Sequence, residues 1–533
     1  MTHRKALKTA VEAVASSSTL RRSSRRSASN ASTTVQQSPK ENPTTNATTS
    51  SVRQQPPPTK RQKVKSEPDT FADLASFDSH QVTPSSQARR RVKAEPPSPP
   101  IKQEPETDEM KPAPASKRRR TKKEEVEVEV FPPRPQPVTA AVSEGAGATR
   151  GLYIGAHISS AGGVENAPLN ALRIGANAFS CFVRPKMQWA STPIADTSAE
   201  LFKQRVLDHS FMPAPATSSS PDSAPPDGFV VPHGCYLVNL ANPDETKRDK
   251  SFEAFMDDLR RCELLGIRLF NFHPGSMTAA SVADAPVEER VNGVRPAKAE
   301  ACAMVASYIN RAHALTRSVT ILVENMAGSK NDTLLGSSLS DLACILSHVE
   351  DKSRVGVCID TCHAFAAGYD LTTPQAYAEF AAEIERTLGW ECVKAMHLND
   401  SKFGLGCRRD RHENIGRGFI GIGGFWNIVN DPRCTGIPLI LETPALGAAS
   451  AAYAAKEATV KMHQVWSFQI QALHALRGME WGKWKEAEEW LAKADQVISQ
   501  AAAAHAVKKR SSTKPKACKK AHDAEESDLS EEE

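Results

Sequence analysis

Val355-Gly356-Val357-Cys358-Ile359-Asp360-Thr361-Cys362-His363 decides the fold. The run from Val355 to Ile359 is apolar with no polar residue alternating through it. A strand reads this way when it is parallel and covered on both faces. The run stops on an acid, Asp360, and a histidine follows three residues later. Moving outward, the same texture recurs at 319–325 and 268–273 on one side and at 393–399 and 437–443 on the other. It recurs again at 229–233, 178–183 and 152–159.

Between these runs lie Ala- and Leu-rich amphipathic stretches at 251–265, 297–315, 340–349 and 374–387. Apolar strand, polar turn and amphipathic helix in alternation are the pattern of repeated βα units. Eight such units predict an α/β chain closed into a (β/α)8 TIM barrel. Side chains that converge on the active face of such a barrel sit at or just beyond the C-terminal ends of its strands. His233, His273, Glu324, Asp360, His397 and Glu442 all fall there. His363 follows Asp360, and Asp410 and His412 lie in the loop after the seventh strand.

Each of these residues alone has an ordinary explanation. A strand-end acid caps the next helix, and a lone histidine is a hydrogen-bonded core residue. Together, five histidines and four carboxylates on one rim are costly to desolvate without a shared partner, and a divalent metal is such a partner. Mixed imidazole and carboxylate ligation suits zinc or manganese, and the absence of cysteine from the set points away from a structural zinc site.

Outside the barrel the composition changes. Of the 533 residues, those from Met1 to about Arg150 hold no Trp or Tyr and are dominated by Ser, Thr, Pro, Lys, Arg and Glu. Such a stretch buries too little apolar surface to offset chain entropy, so 1–150 is expected to be a disordered targeting and regulatory tail. The formal net charge is only +5, yet basic residues cluster within this tail, as at 117–123. That suits a nuclear address, while the Ser- and Arg-rich first 34 residues also fit mitochondrial targeting. Lys65, Lys93 and Lys102 each sit in an apolar-Lys-x-Glu pattern, the acceptor pattern of the small ubiquitin-like modifier. The expected units are then the tail 1–150, a barrel at 151–476 with an insertion at 213–227, a helical extension at 477–507, and a basic-then-acidic disordered tail at 508–533. The eleven cysteines show no paired C-x-x-C spacing, which argues against a disulfide framework, and no apolar run is long enough for a membrane span.

Several motifs resemble endonuclease IV, the apurinic/apyrimidinic endonuclease family. They are Pro232-His233-Gly234-Cys235-Tyr236-Leu237-Val238-Asn239-Leu240, Asn271-Phe272-His273-Pro274-Gly275-Ser276, 357–370 around Asp360 and His363, His397-Leu398-Asn399-Asp400-Ser401-Lys402, Asp410-Arg411-His412-Glu413 and Leu441-Glu442-Thr443-Pro444. The resemblance covers about 151–476. It implies a three-zinc centre, with manganese an alternative in part. His233, His273 and Glu324 would hold one ion, and Glu324 would bridge to a second held by Asp360, His397 and Glu442. His363, Asp410 and His412 would hold the third.

The activity so implied is a zinc-dependent phosphodiester hydrolase of base excision repair. It cuts 5′ to an abasic site, leaves a 3′-hydroxyl and a 5′-deoxyribose phosphate, and trims 3′ ends. Double-stranded DNA with abasic sites or blocked 3′ ends is the implied partner, and a monomer is expected. Glu324 would also orient the attacking water and so act as the catalytic residue. Tyr236 and Leu237 match residues that wedge into the duplex, and Lys186, Arg408, Arg409 and Arg411 are candidate phosphate contacts. His157 is included in the match as a hydrogen-bonding support, not as a ligand. Gly234 and Cys235 depart from the commoner polar pair at their positions.

Two rivals remain. A sugar isomerase or epimerase uses the same barrel rim, but with one or two metals and no Tyr-Leu wedge. An inactive DNA-binding barrel predicts a broken ligand set, whereas all nine positions are intact.

Overall fold

The computed structural model describes residues 131–137, 151–212, 227–278 and 294–512. The parallel strands are β1 (Tyr153–His157), β2 (Ala178–Ser180), β3 (Leu269–Phe272), β4 (Thr320–Glu324), β5 (Val355–Asp360), β6 (Val393–His397) and β9 (Pro438–Leu441). A two-residue hairpin of β7 (Asp400–Ser401) and β8 (His412–Glu413) interrupts the series. The order across the main sheet is β2-β1-β9-β6-β5-β4-β3, with all its pairings parallel.

The expected strand at 229–233 closes the ring, but not as a regular ladder. Val230 bridges Phe179 of β2, and His233 bridges Asn271 of β3, both in parallel. Pro232 has no N–H to give, so this segment pairs through single bonds such as Val231 N to Phe179 O (3.0 Å) and Asn271 N to Pro232 O (2.9 Å). The barrel is therefore eight-stranded and closed, the TIM-barrel fold. Its interior is filled by side chains from successive strands: Val231, Leu269, Leu322, Cys358 and Ala395 form one buried cluster.

The outer helices are α1 (Ala167–Arg173), α2 (Asp196–Asp208), α3 (Glu245–Leu265), α4 (Pro296–Leu315), α5 (Leu339–His348), α6 (Thr361–Ala367), α7 (Pro374–Thr387), α8 (Gly421–Asn430), α9 (Ala455–Ala475) and α10 (Lys485–Ser512). Their starts carry ordinary caps: the side chains of Asp244, Ser338 and Thr373 accept backbone N–H bonds from the first turns of α3, α5 and α7, which satisfies donors that the helix itself leaves open. Gly266, at φ 74°, ends α3 in the left-handed region.

Two expected boundaries need correction. Residues 131–137, placed by composition in the disordered tail, lie extended against the barrel. Arg134 donates to Asn177 O at 2.7 Å and covers the rings of Tyr153, Phe211 and Phe229, while Phe131 packs on the core. A Pro-rich segment makes such contacts at low entropic cost because its backbone is stiff to begin with. At the other end, α10 runs to Ser512, past the expected end of the helical extension at 507. Ala487, Leu491, Ala494 and Ala501 are buried along one side of it. The remaining residues of the two tails, Lys65, Lys93 and Lys102 among them, and residues 213–226 of the insertion lie outside the described residues. Among the described residues no helix is long and apolar enough to cross a membrane, and the ten described cysteines are free.

Candidate metal centre

All nine residues expected on the rim come together there, in groups whose potential ligand atoms lie within 4.8 Å of one another. His233, His273 and Glu324 make one group. Glu324, Asp360, His397 and Glu442 make the second, so that Glu324 is common to both. His363, Asp410 and His412 make the third. Cys362, which the sequence reading left out, falls near Asp360 and His412. Its thiol contacts Arg411 O at 3.6 Å, and burial pushes its pKa up.

Strand geometry explains the convergence. Glu324, Asp360 and His397 are the last residues of β4, β5 and β6, and Glu442 follows β9 directly. Asp360 performs both of the roles open to a strand-end acid. Its Oδ1 caps α6 by accepting from His363 N at 2.8 Å. Its Oδ2 accepts from Asn399 at 2.6 Å and turns toward His397 and His412, 3.8 Å from each. Because α6 starts at once, His363 is carried back over the same rim.

His412 is the first residue of β8, and Asp410 lies in a long excursion between β7 and β8. Asp400 ties its base: its buried carboxylate accepts from the backbone N–H groups of Ser401, Gly418 and Ile420 at 2.8–3.0 Å. A side chain at 418 would collide with Ser401 O and Asp400, which requires glycine there.

The imidazoles are preset by their other nitrogens. His233 Nδ1 faces Gly234 O at 2.9 Å, His363 Nδ1 faces Asn325 O at 2.9 Å, and His412 Nδ1 faces Glu442 O at 3.2 Å. A carbonyl only accepts, so each Nδ1 carries a proton, and in the neutral ring that a metal ligand requires it is Nε2 that presents the lone pair. Those lone pairs point at other acceptors. His233 Nε2 lies 3.3 Å from His273 Nε2 and 3.3 Å from Glu324 Oε2, and His273 Nε2 is 3.5 Å from the same oxygen. His363 and His412 each approach an oxygen of Asp410 to 3.2 Å. His397 uses Nδ1, placed 3.1 Å from Glu324 and 3.2 Å from Glu442.

The Nε2 atoms of His363 and His412, which face the cluster, are buried without a hydrogen-bond partner. Converging acceptors 3.1–3.5 Å apart are unsatisfied by one another. They match the edges of a tetrahedron of ligands at ~2.0–2.1 Å from a zinc ion. The residues fit divalent metal.

The charge balance tells the same story. Burial works against charge on Glu324, yet His397 and His273 outweigh it and hold the carboxyl well below its usual range. Burial likewise opposes charge on His363, but Asp360 and Asp410 overcome it and lift the imidazole well above its ordinary value. His412 is raised to about 9 against burial by Asp360 and Asp410. The cluster holds protons tightly wherever no metal cation shares its carboxylates, so metal uptake must release them.

Three asparagines that sequence reasoning passed over support the ligands. Asn271 Nδ2 donates to Glu324 Oε2 at 2.5 Å. Asn325 brackets the end of β5, accepting from Asp360 N and donating to Asp360 O. Asn399 joins Asp360 to Glu442, whose N–H it accepts at 2.8 Å. Each adjoins a ligand in sequence or in the neighbouring strand, and that adjacency is the signal that could have found them. His157 is placed as expected, with Nδ1 3.0 Å from Glu442 Oε1.

The proposed DNA contacts surround this rim unevenly. Tyr236 is 41% exposed and stacks on His273 at 5.8 Å, with its edge toward Phe182 and His233. Its N–H is bonded to Lys186 O at 2.9 Å, which joins the loops carrying Tyr236 and Lys186. Leu237 is half-buried against the core. Arg408 and Arg409 are exposed: Arg408 sits at φ 54°, and Arg409 covers Phe403. Arg411 is half-buried and donates to Asp410 O. Gly234 is explained by crowding, since a Cβ there would lie 3.0 Å from the Phe270 ring.

Comparison with known proteins agrees with this architecture. A family model described as xylose isomerase-like TIM barrel matches residues 169–462. The chain is 44% identical over 291 residues to a probable endonuclease 4 of Campylobacter curvus, covering 55% of this chain and 92% of that one. It is 42% identical over 290 residues to apurinic-apyrimidinic endonuclease 1 of Saccharomyces cerevisiae, covering 54% of this chain and 71% of that one. A solved structure of endonuclease IV from Thermus thermophilus aligns with a TM-score of 0.45 at 28% identity, covering 59% of this chain and 98% of that one.

Proposed function

We propose, from the premise that this chain belongs to the endonuclease IV family, that it is a zinc-dependent apurinic/apyrimidinic endonuclease that hydrolyses the phosphodiester 5′ to an abasic site. The observation that carries the reading is the intact set of nine ligands, with three imidazole lone pairs aimed at carboxylates. His233, His273 and Glu324 would hold one zinc, Glu324, Asp360, His397 and Glu442 a second, and His363, Asp410 and His412 a third. Bound there, the ions would supply Lewis-acid stabilisation of phosphate oxygens and a water acidic enough to ionise near neutral pH.

The chain itself supplies position. Glu324 stands between two ligand groups with one oxygen toward His233 and the other toward His397, and the Asn271 amide fixes its plane. That plane sets where an attacking water is held. Tyr236 and Leu237 stand beside the cluster, placed to fill the space of a displaced nucleotide. A site without a base costs little to unstack, which favours it over intact DNA. Lys186, Arg408, Arg409 and Arg411 would hold phosphates without reading sequence. The products would be a 3′-hydroxyl and a 5′-deoxyribose phosphate, and the same rim would accept blocked 3′ ends.

The test is incubation of metal-loaded full-length protein with a duplex holding one abasic site, beside a Glu324→Gln variant. Incision by the wild type and its loss in the variant is expected. No incision by the wild type, or equal incision by both, would overturn the reading.

A further inference from the structure

Helix α10 lies beyond the family match, which ends at residue 462, and it is firmly attached. Its buried Leu491, Ala494 and Ala501 meet α9 and the turn that follows Glu442, with Val465, Ala445, Leu446 and Ala449 among the residues of the shared clusters. At 28 residues α10 is ~42 Å long, against ~31 Å for the 21 residues of α9. Its surplus turns therefore need another support. They find it on the 3-10 turn Gly447–Ala452, where Lys508 Nζ donates to Ala451 O at 2.8 Å.

That turn connects the C-terminal end of β9, just past Glu442, to the start of α9. It is thus on the face of the barrel that carries the metal centre. The last turns of α10 bring Lys508, Lys509 and Arg510, all exposed, to this face. In sequence the basic run continues through Lys514, Lys516, Lys519 and Lys520 with no acid among residues 508–520. Basic residues at a helix C-terminus also stabilise the helix through its dipole, but that effect fades within a turn and gives no reason for the run to extend past Ser512.

We propose that the end of α10 is a phosphate-gripping arm, in which Lys508, Lys509 and Arg510 bind the backbone of duplex DNA flanking the lesion. The proposal rests on the reading that DNA is the substrate. Packing of α10 on α9 holds the arm at a fixed place beside the rim, so its cations are positioned before DNA arrives. The contact is to phosphates alone, and it adds affinity without sequence preference.

The test compares metal-loaded full-length protein with a Lys508→Ala, Lys509→Ala, Arg510→Ala variant. Fluorescence anisotropy measures binding to an undamaged duplex and to one with an abasic site, across about 50 to 200 mM salt. Loss of three phosphate contacts is expected to flatten the slope of log K against log salt by about 2–3 on both duplexes. On the abasic duplex KM rises while kcat is unchanged.

A charge-keeping variant, Lys508→Arg, Lys509→Arg, Arg510→Lys, is expected to restore the slope. Equal slopes for wild type and alanine variant would overturn the arm, as would loss of binding in both variants alike. Unchanged slopes with altered cellular distribution would assign the run to transport instead. Because the slope on undamaged DNA is read without incision, failure of the arm and failure of the proposed activity are separately visible.

Discussion

Asn399 and Asp360 are joined by a 2.6 Å hydrogen bond from Nδ2 to Oδ2, and the same carboxamide accepts the N–H of Glu442 through Oδ1 at 2.8 Å. One buried side chain thus fixes two candidate ligands from different strands. Its bonds leave Asp360 Oδ1 to cap α6 and Oδ2 to face the centre. Supporting groups of this kind typically contribute 10–100-fold in metal affinity or activity. Asn399→Ala is expected to speed metal loss to a chromophoric chelator by about that factor while circular dichroism stays native. An unchanged rate of stripping would show that Asp360 needs no such guide.

Arg417 clamps the loop of the third group from outside. It forms a two-armed pair with Asp495 of α10, with Nε to Oδ1 at 2.7 Å and Nη2 to Oδ2 completing it. The preceding residues are held by Gln469, which accepts from Ile415 N and donates to Asn414. The pair is largely exposed, so its direct stability is small, about 0–1 kcal/mol. Its effect should appear at Asp410 and His412. Arg417→Ala is expected to move Tm little yet hasten chelator removal of one metal class. The reversed pair, Arg417→Asp with Asp495→Arg, should slow it again; equal behaviour of all three proteins would count against the clamp.

Much of this centre was legible because barrel physics and metal chemistry leave complementary marks. A strand covered on both faces must be apolar along its length, and a ligand must break that run at its tip, so Glu324, Asp360 and His397 announce themselves. Residues that act through neighbours leave fainter marks. Asn271, Asn325 and Asn399 are small polar residues at strand ends, where turn-forming asparagines are ordinary. Pro232 gave no warning that 229–233 would close the barrel through single bridges. The segment 131–137 was misread since composition averages over a tail and misses seven residues whose arginine and aromatic fit the barrel floor.

Tyr236 offers a test of the wedge. Its ring stacks on His273, so the ring face is the part under test. Stacking of a base on an aromatic side chain contributes about 1–3 kcal/mol. Tyr236→Phe is expected to incise an abasic duplex nearly as fast as wild type in single turnover, and Tyr236→Ala about 5- to 150-fold more slowly, the factor matching that energy. Similar rates for the alanine variant and wild type would remove Tyr236 from substrate handling.

Arg134 binds the N-terminal face, opposite the centre. Its guanidinium covers the Tyr153–Phe229 stack, whose centroids are 3.7 Å apart, and donates to Asn177 O. Asn177 in turn ties β1 to the approach to β2 through Ile154 N and Leu152 O. Charged hydrogen bonds and cation–π contacts of this kind suggest a loss of about 1–3 kcal/mol on Arg134→Ala. Denaturant unfolding should show that loss with kcat unaffected, and a chain beginning at Gly151 should be destabilised at least as much as the point variant. No shift in either would mean that the 131–137 contacts are incidental.

Asp258 gives the stability of this protein a pH dependence of its own, from outside the ligand set. It is fully buried on α3, where one oxygen accepts from Cys235 N at 3.2 Å and the other has no partner. Burial raises its pKa from 3.8 to about 7, despite the Cys235 N–H and Arg184. The folded protein therefore binds this proton more tightly than the unfolded chain. Its contribution is fully present below about pH 4 and is lost as pH rises through about 7. Asp258→Asn keeps an acceptor for Cys235 and removes the titration. Its stability relative to wild type should thus grow between pH 5 and 8, by on the order of 3 kcal/mol at most. Urea unfolding at both pH values measures the change. A variant whose difference from wild type is flat, or falls, across that interval would show that Asp258 is ionised in the fold throughout, with Arg184 and Arg261 carrying its charge.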